Sequence, residues 1–263
     1  MTAPSDDGAR SLAVEGLRTT WSDGVLHRVL DGREVRIASA PGGVDVDPLD
    51  DVTRPQVERL LGLPFDLDAF RAFAARDDVL APLEGRLRGF RPPLVPDPWE
   101  ALVTSITAQQ VSLFSAFAIR NRLIERFGVR HEDAYAFPTR ERLRDATEAE
   151  IVAVGFSRRK AEYVVGLARS DLDLDELAAL ADEEVAARIT AVRGLGEWTA
   201  DWFLARHLAR PHAWPAGDLA LRKAVVAFYG DVPDVRGFAS RLHPFENVSA
   251  HYLLTGLRLA PPV

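Results

Sequence analysis

The sequence predicts an α+β protein in which a small N-terminal antiparallel sheet precedes an all-helical remainder. Residues 11–50 contain short alternating apolar runs separated by Asp-Gly and Gly-Gly turns, as hairpin-connected strands do. From Pro55 onward, apolar residues recur at helical spacing, without internal repeats or low-complexity segments. A length of 263 residues is enough for one large domain or two smaller ones.

The N-terminal third is predicted to hold the strands and three short helices. The first ten residues are polar and are expected to form a disordered tail, and two turns, Ser22-Asp23-Gly24 and Leu30-Asp31-Gly32, are hairpin signals. Helices are predicted around residues 60–73 and 79–87. The rigid run Arg91-Pro92-Pro93-Leu94-Val95-Pro96 predicts a boundary between an α+β domain at 1–90 and a helical core at 91–263.

The helical core opens with a clear start signal at Asp97-Pro98-Trp99-Glu100. Asp97 suits the N-cap, Pro98 suits the first turn, and Glu100 is expected to complement the helix dipole. Further helices are predicted at residues 112–127, 148–154, 158–170, 183–192, 197–208, 219–228 and 248–259.

Composition restricts the chemistry that this chain can use. It has no cysteine, which excludes disulfides, thiol catalysis and a cysteine-ligated iron–sulfur cluster. No run of 18 apolar residues and no secretion signal is visible, so a cytoplasmic location is expected. The net charge of −7 lies entirely in residues 1–85, and the remaining chain is balanced. A balanced core predicts modest affinity and a shallow salt dependence if the partner is DNA.

The most informative segment is a glycine hairpin followed by a lone carboxylate. Gly194-Leu195-Gly196 separates two apolar helical runs within residues 183–209, and glycine permits the tight turn that such a hairpin needs. The free N–H groups of the second helix attract a phosphate. Asp218 follows 22 residues after Gly196 and precedes another helix, so it is expected to be a cap as well as a catalytic candidate.

The pattern VRGLGEWTA followed by GDLALRKA resembles the helix-hairpin-helix and aspartate signature of base-excision DNA glycosylases. The flanking sequence is similar to the 3-methyladenine DNA glycosylase II branch, over about residues 60–259. This resemblance implies a two-lobed helical glycosylase core. It also implies that Asp218 is the catalytic residue, which stabilises an oxocarbenium-like sugar and orients the attacking water. Asp201 competes for this role but is expected to be a solvent-facing or structural group.

The expected base pocket is aromatic. Trp198 and Trp202 are four residues apart and share one helix face, which is typical of core packing as well as of a ligand cleft. Alkylated purines carry positive charge and stack well on indole rings. By resemblance, the segment His243-Pro244-Phe245-Glu246 stands where related enzymes carry another pocket tryptophan, so Phe245 is expected to line the pocket. This difference leaves the width of the pocket undetermined by the sequence.

The resemblance also implies several DNA contacts. Gln109 and Gln110 lie in a loop expected to enter the minor groove, with Gln110 as the wedge that replaces the flipped nucleotide. A phosphate is expected on Gly194, Gly196 and the Thr199 hydroxyl. Arg222, with Lys223, is expected beside another phosphate, whereas the basic run at 158–160 is expected to be solvated. No cofactor is expected to be required, although such hairpins commonly hold a structural cation on the carbonyls of Thr190, Val192 and Leu195.

These features predict a monofunctional glycosylase that excises alkylated purines from double-stranded DNA and leaves an abasic site. The two lysines, Lys160 and Lys223, do not lie where strand-nicking relatives carry a Schiff-base lysine, because Trp198 stands there. A glycosylase for deaminated or oxidised bases, or a non-enzymatic duplex-binding module, are the open alternatives. A monomer is expected.

Overall fold

The computed structural model describes residues 21, 22 and 24–259 of the chain. The expected disordered tail, and any strand before residue 21, lie outside these residues. The described strands form one antiparallel sheet in the order β1-β2-β3-β4, which confirms the predicted hairpins. The strands are β1 (Trp21–Ser22), β2 (Val25–Leu30), β3 (Arg33–Ala40) and β4 (Gly43–Asp47).

The β2–β3 turn shows why the Asp-Gly signal is informative. Leu30 pairs with Arg33, so only Asp31 and Gly32 connect the strands. Both have positive φ, 49° and 71°, as a two-residue hairpin turn requires.

After β4, the regular elements of the described chain are helices, apart from an isolated bridge between Arg130 and Tyr135, so the α+β class is confirmed. Two helices, α6 and α12, are absent from the sequence prediction because segments of five and four residues are too short to show a helical period. Within residues 21–259, no helix is both long and apolar enough to cross a bilayer. The helices are α1 (Thr53–Leu60), α2 (Leu67–Ala74), α3 (Leu80–Arg86), α4 (Pro98–Ala108), α5 (Leu113–Phe127), α6 (Arg140–Arg144), α7 (Glu148–Ala153), α8 (Arg158–Arg169), α9 (Asp182–Thr190), α10 (Glu197–Arg206), α11 (Leu219–Tyr229), α12 (Val235–Phe238) and α13 (Glu246–Leu259).

Two helical cores and one small sheet core organise the fold. The first helical core is built from α4–α10. The second joins residues 65–94 to residues 214–254, and therefore extends across residue 90, where the sequence suggests a domain boundary. A third core packs the sheet against α1. Trp202 packs against both helical cores, which places it at the junction of the two lobes.

The start of α4 has the predicted cap and also contains a buried ion-pair cluster. Asp97 caps the helix, since its Oδ1 accepts the Glu100 N–H at 3.0 Å, as predicted. The Glu100 side chain, in the first turn of the helix, is buried and bonded to Arg28 of β2 and Arg120 of α5. A buried carboxylate needs such partners, and the two guanidinium groups hold the pKa of Glu100 low against the raising effect of burial. Glu100 therefore ties the sheet to the helical core.

Candidate active site

Asp218 lies immediately before α11, and its carboxylate caps that helix as predicted. Oδ1 accepts the Leu221 N–H at 2.9 Å, while the backbone N–H of Asp218 donates to the Pro215 carbonyl at 2.8 Å. The side chain is half-buried, and the preceding residues Trp214 and Ala216 are buried in the second core. The carboxylate therefore has a fixed direction at a partly accessible position.

Trp198 and Trp202 hold the other oxygen of this carboxylate. The two indole Nε1–H groups donate to Asp218 Oδ2 at 2.9 Å and 3.0 Å. Their shared helix face does turn toward Asp218, as the spacing predicts. The hydrogen bonds themselves are not predictable from the sequence, which suggested only stacking of the ring faces. Three N–H donors thus orient a single carboxylate.

Positively charged and neutral groups surround this cluster. The Arg206 guanidinium lies 5.7 Å from the Trp202 ring centre, and the His251 ring lies 6.2 Å from it at 71°. The Asp218 carboxylate stabilises the positive charges of Arg206 and Arg258. Burial, with these two cations, lowers the pKa of His251 to about 3, so His251 is a neutral wall of the site at neutral pH.

We expect acid to destabilise the protein through His251 and His207. Burial lowers the pKa of His207 to about 4 although its ring bonds the Val95 carbonyl. A histidine with a depressed folded pKa does not affect stability above about pH 6.5. Below that pH the unfolded chain binds the proton first, so each histidine costs up to about 1.4 kcal/mol per pH unit, down to its folded pKa.

Urea unfolding at a series of pH values between 7 and 4 tests this expectation. The variants His207→Gln and His251→Gln should each flatten the pH dependence of the free energy of unfolding relative to the wild type. Equal slopes in the wild type and in both variants would contradict the buried neutral state of these rings.

The glycine hairpin packs closely against two other elements. Gly194 has a φ of +94°, and its carbonyl accepts the Gln109 Nε2–H at 2.9 Å. Gly196 is exposed and begins α10. The first helical hydrogen bonds run from the N–H groups of Thr199 and Ala200 to the Gly196 carbonyl. The N–H groups that precede Thr199 in α10 therefore have no carbonyl acceptor within the helix. This geometry suits an anion.

The structure does not support the phosphate contact predicted for the Thr199 hydroxyl. Its side chain is only 1% exposed, and its hydroxyl oxygen is buried. A hydroxyl that is buried in this way does not reach a phosphate at the surface of the hairpin. The backbone N–H groups of the hairpin are therefore the remaining candidates for a phosphate contact.

The loop between α4 and α5 lies beside the hairpin, as the Gln109–Gly194 hydrogen bond demonstrates. Gln110 is exposed with a φ of +54°, and the nearby Phe114 is 85% exposed at the start of α5. Phe114 is not distinguishable in the sequence from the other apolar residues of this helix. Lys160 is also placed differently than predicted: it is buried, and its Nζ donates to the Thr107 carbonyl at 2.9 Å, anchoring the end of α4.

Phe245 lies at the edge of the second core. Its ring centre is 5.8 Å from that of Phe70 and 5.2 Å from that of Phe73, both on α2. Phe245 and Trp202 are both half-buried against this core. Phe245 thus packs against the same core as Trp202, and its ring contacts Phe70 and Phe73 of α2.

The remaining predicted residues lie on α10 and α11. Arg222 and Lys223 are both exposed on the first turns of α11, next to Asp218. Asp201 is half-buried rather than solvent-facing, and burial raises its pKa to about 6. The structure therefore favours the structural alternative for Asp201.

Comparisons with known proteins give consistent matches. A model described as HhH-GPD superfamily base excision DNA repair protein matches residues 103–238. A DNA-3-methyladenine glycosylase of Bacillus subtilis (strain 168) is 28% identical over 189 residues, covering 67% of this chain and 62% of the relative. The match thus spans less than two thirds of that relative's length.

Solved structures extend the likeness over the whole chain. A 3-methyladenine DNA glycosylase from Archaeoglobus fulgidus has a TM-score of 0.87 and 28% identity, covering 99% of this chain and 98% of its own. The Schizosaccharomyces pombe 3-methyladenine DNA glycosylase in complex with abasic DNA has a TM-score of 0.62 and 26% identity, covering 72% of this chain and 96% of its own.

Proposed function

The chain belongs to the HhH-GPD superfamily of base excision DNA repair proteins, and on this premise we propose that it excises alkylated purines from duplex DNA. The reaction is hydrolysis of the N-glycosidic bond of a flipped nucleotide, of the 3-methyladenine or 7-methylguanine type, and leaves an abasic site. The observation that carries this proposal is the Asp218 carboxylate, held by three N–H donors at a half-buried position between the lobes. The enzyme acts as a monomer.

Asp218 supplies what the reaction needs most. As the base departs, positive charge develops on the sugar, and a preorientated carboxylate stabilises that charge without having to reorganise. The same oxygen atoms orient the water that attacks the sugar. An alkylated purine already carries positive charge and leaves readily, so the site needs no strong general acid. Nucleotide flipping brings the bond to Asp218, since the stacked duplex shields it.

Trp198 supports a monofunctional reaction. Its indole occupies the hairpin position where a Schiff-base lysine would stand, and it is bonded to Asp218. Of the two lysines in the sequence, Lys160 is engaged with the Thr107 carbonyl, and Lys223 is exposed on α11. Trp198 and not a lysine stands at the hairpin position, so water is the nucleophile.

A structural cation on the hairpin is part of the proposal. The Val192 carbonyl accepts the Leu195 N–H at 3.0 Å, which uses one of its two lone pairs and leaves the other for a cation. Together with the carbonyls of Thr190 and Leu195 it would offer neutral oxygen ligands, which suit a hard cation. Such an ion would stiffen the turn and add positive charge next to the phosphate. The chemical step requires no cofactor.

Release of free base from methylated duplex DNA tests the proposal. We expect 3-methyladenine or 7-methylguanine in the supernatant, with strand cleavage only after alkali opens the abasic site. Release of free base from duplexes that carry deaminated or oxidised bases, but not from methylated DNA, would contradict alkylated purines as the substrate and support the other lesion class. Duplex binding without release from any of these substrates would favour the binding-only alternative.

We expect Trp198→Phe and Trp202→Phe each to slow base excision by roughly tenfold or more. Each substitution keeps an aromatic ring but removes one N–H donor to Asp218, and a hydrogen bond to a charged group is worth about 1.5–3 kcal/mol. Single-turnover rates on methylated duplex measure the effect. Trp214→Phe is the matched control, because its Nε1–H donates to the Val235 carbonyl at 2.8 Å and not to the carboxylate. An equal loss of rate in the control would contradict a specific role for the pair.

We expect Phe114→Ala to weaken binding to abasic duplex DNA by roughly 5-fold to 100-fold. An aromatic ring that stacks on a nucleotide base contributes about 1–3 kcal/mol, and Phe114 is exposed beside the wedge loop. Gln110→Ala should impair excision more than binding if Gln110 is the wedge. Val129→Ala is the control, since Val129 is 63% exposed just beyond the opposite end of α5. Unchanged affinity in Phe114→Ala would remove this residue from the DNA interface.

A further inference from the structure

Two histidines converge on one buried carboxylate outside the candidate active site. His212 Nδ1 lies 3.1 Å from Glu246 Oε2, and His243 Nδ1 lies 3.1 Å from Glu246 Oε1. The three side chains place one ligand atom each within 4.8 Å of one another. We propose that His212, His243 and Glu246 form a binding site for a divalent transition metal ion of the Zn²⁺ class.

The spacing of these atoms suits a metal ion. With metal–nitrogen and metal–oxygen bonds of about 2.0–2.2 Å, neighbouring ligand atoms lie roughly 3.0–3.5 Å apart. The two nitrogen–oxygen distances fall in this range, and all three ligand atoms lie within 4.8 Å of one another. Two imidazoles and one carboxylate are also the donor types that Zn²⁺, Ni²⁺ and Cu²⁺ prefer over Mg²⁺ and Ca²⁺.

The burial pattern separates this cluster from an ordinary surface contact. Glu246 is only 6% exposed, and a buried carboxylate needs compensating positive charge. Within residues 24–259, its ion-pair partners are the two histidines, with no Arg or Lys among them. The histidine side chains are 52% and 64% exposed, so an ion can enter from solvent.

The ring arrangement favours the binding of one dication over the protonation of both histidines. The His212 and His243 rings are stacked at 4.8 Å with an interplanar angle of 16°. Two imidazolium ions at this separation repel each other. A metal ion bound to both Nδ1 atoms delivers the positive charge between the rings and the carboxylate, while each neutral ring keeps its proton on Nε2.

The site connects two segments that lead to the candidate active site. His212 lies six residues before Asp218, and Glu246 begins α13, which carries His251 and Arg258. Backbone contact already joins these segments, because the Asn247 N–H donates to the Pro211 carbonyl at 3.0 Å. A bound ion would lock the segments together, so its effect is on stability and not on the chemical step.

Isothermal titration of the full chain without a polyhistidine tag, using Zn²⁺ alone, tests the proposal. We expect one ion per chain, with affinity at least about tenfold lower in His243→Gln and in His212→Gln, since even loss of an outer hydrogen bond costs 10–100-fold. Asp133→Asn is the matched control. Asp133 belongs to a second cluster with His27 and Glu34 that contains only one histidine. This control should bind Zn²⁺ as the wild type does.

Co²⁺ supplies a readout that is independent of folding. Visible ligand-field absorption should appear with the wild type and Asp133→Asn, and should be lost with His243→Gln. Zn²⁺ should also raise the thermal unfolding midpoint of the wild type but not of His243→Gln. Absence of one-to-one binding by the wild type, or equal affinity in His243→Gln, would overturn the site. Loss of binding in Asp133→Asn would assign the ion to the other cluster.

Discussion

The Asp218→Asn variant is expected to lose base excision by at least about 10²–10³-fold while still binding abasic duplex DNA. Removing one electrostatic group that stabilises developing charge typically costs this much. Asparagine can still cap α11 through its side-chain oxygen, so the helix should persist. An amide oxygen cannot satisfy all three N–H donors that now bond to the carboxylate. We therefore also expect a stability loss of about 1–2 kcal/mol.

Single-turnover kinetics on methylated duplex and urea unfolding of the same samples separate the two effects. Asp201→Asn is the matched control, because it neutralises a half-buried carboxylate on α10 that does not hold the tryptophan pair. The control should excise bases within a few-fold of the wild-type rate. A retained rate in Asp218→Asn, or an equal loss in Asp201→Asn, would place the chemistry elsewhere.

The Gly194→Ala variant is expected to lose roughly 2–4 kcal/mol of stability together with DNA affinity. A Cβ atom at this position would lie 2.2 Å from Cγ of the Tyr163 ring, and the φ of +94° is unfavourable for any residue with a side chain. Backbone strain and overpacking each cost about 1–3 kcal/mol. Relief of the clash would move the hairpin away from α8 and break its contact with Gln109.

Gly196→Ala gives the contrasting result. No atom lies within 4 Å of a Cβ at this position, and its φ of −109° is accessible to alanine. We expect its free energy of unfolding to stay within about 0.5 kcal/mol of the wild type. Its affinity for abasic duplex should fall if a phosphate approaches this exposed backbone. Equal unfolding free energies for the two variants would contradict the close packing of Gly194 on Tyr163.

Local signals predicted most of the elements, because caps and turns depend on neighbouring residues. The Asp-Gly turn of β2–β3, the Asp97 cap and the Asp218 cap all appear as expected. Contacts with distant partners are not visible in such signals. The sequence places Glu100 in the first turn of α4, but it does not show that Arg28 and Arg120, 72 and 20 residues away, enclose its side chain.

The candidate site likewise has features that the sequence shows and features that depend on tertiary packing. The hairpin and the carboxylate are visible as a motif, and the i, i+4 spacing places the tryptophans on one face. Burial of Thr199 and exposure of Phe114 depend on which helix faces meet in the first core, and a single sequence does not define that.

The sequence by itself determined the fold class and the family signature, and it identified Asp218 as the catalytic candidate, because each rests on short-range pattern and residue chemistry. Only the tertiary structure decided that both indole N–H groups bond to one carboxylate oxygen, and that His251 stays neutral beside Arg206 and Arg258. It also brought His212 to Glu246 across 34 residues. The physical reason is that hydrogen bonds and desolvation depend on distances between segments that are far apart in sequence. These distances are set by the packing of the two helical cores, both of which contact Trp202.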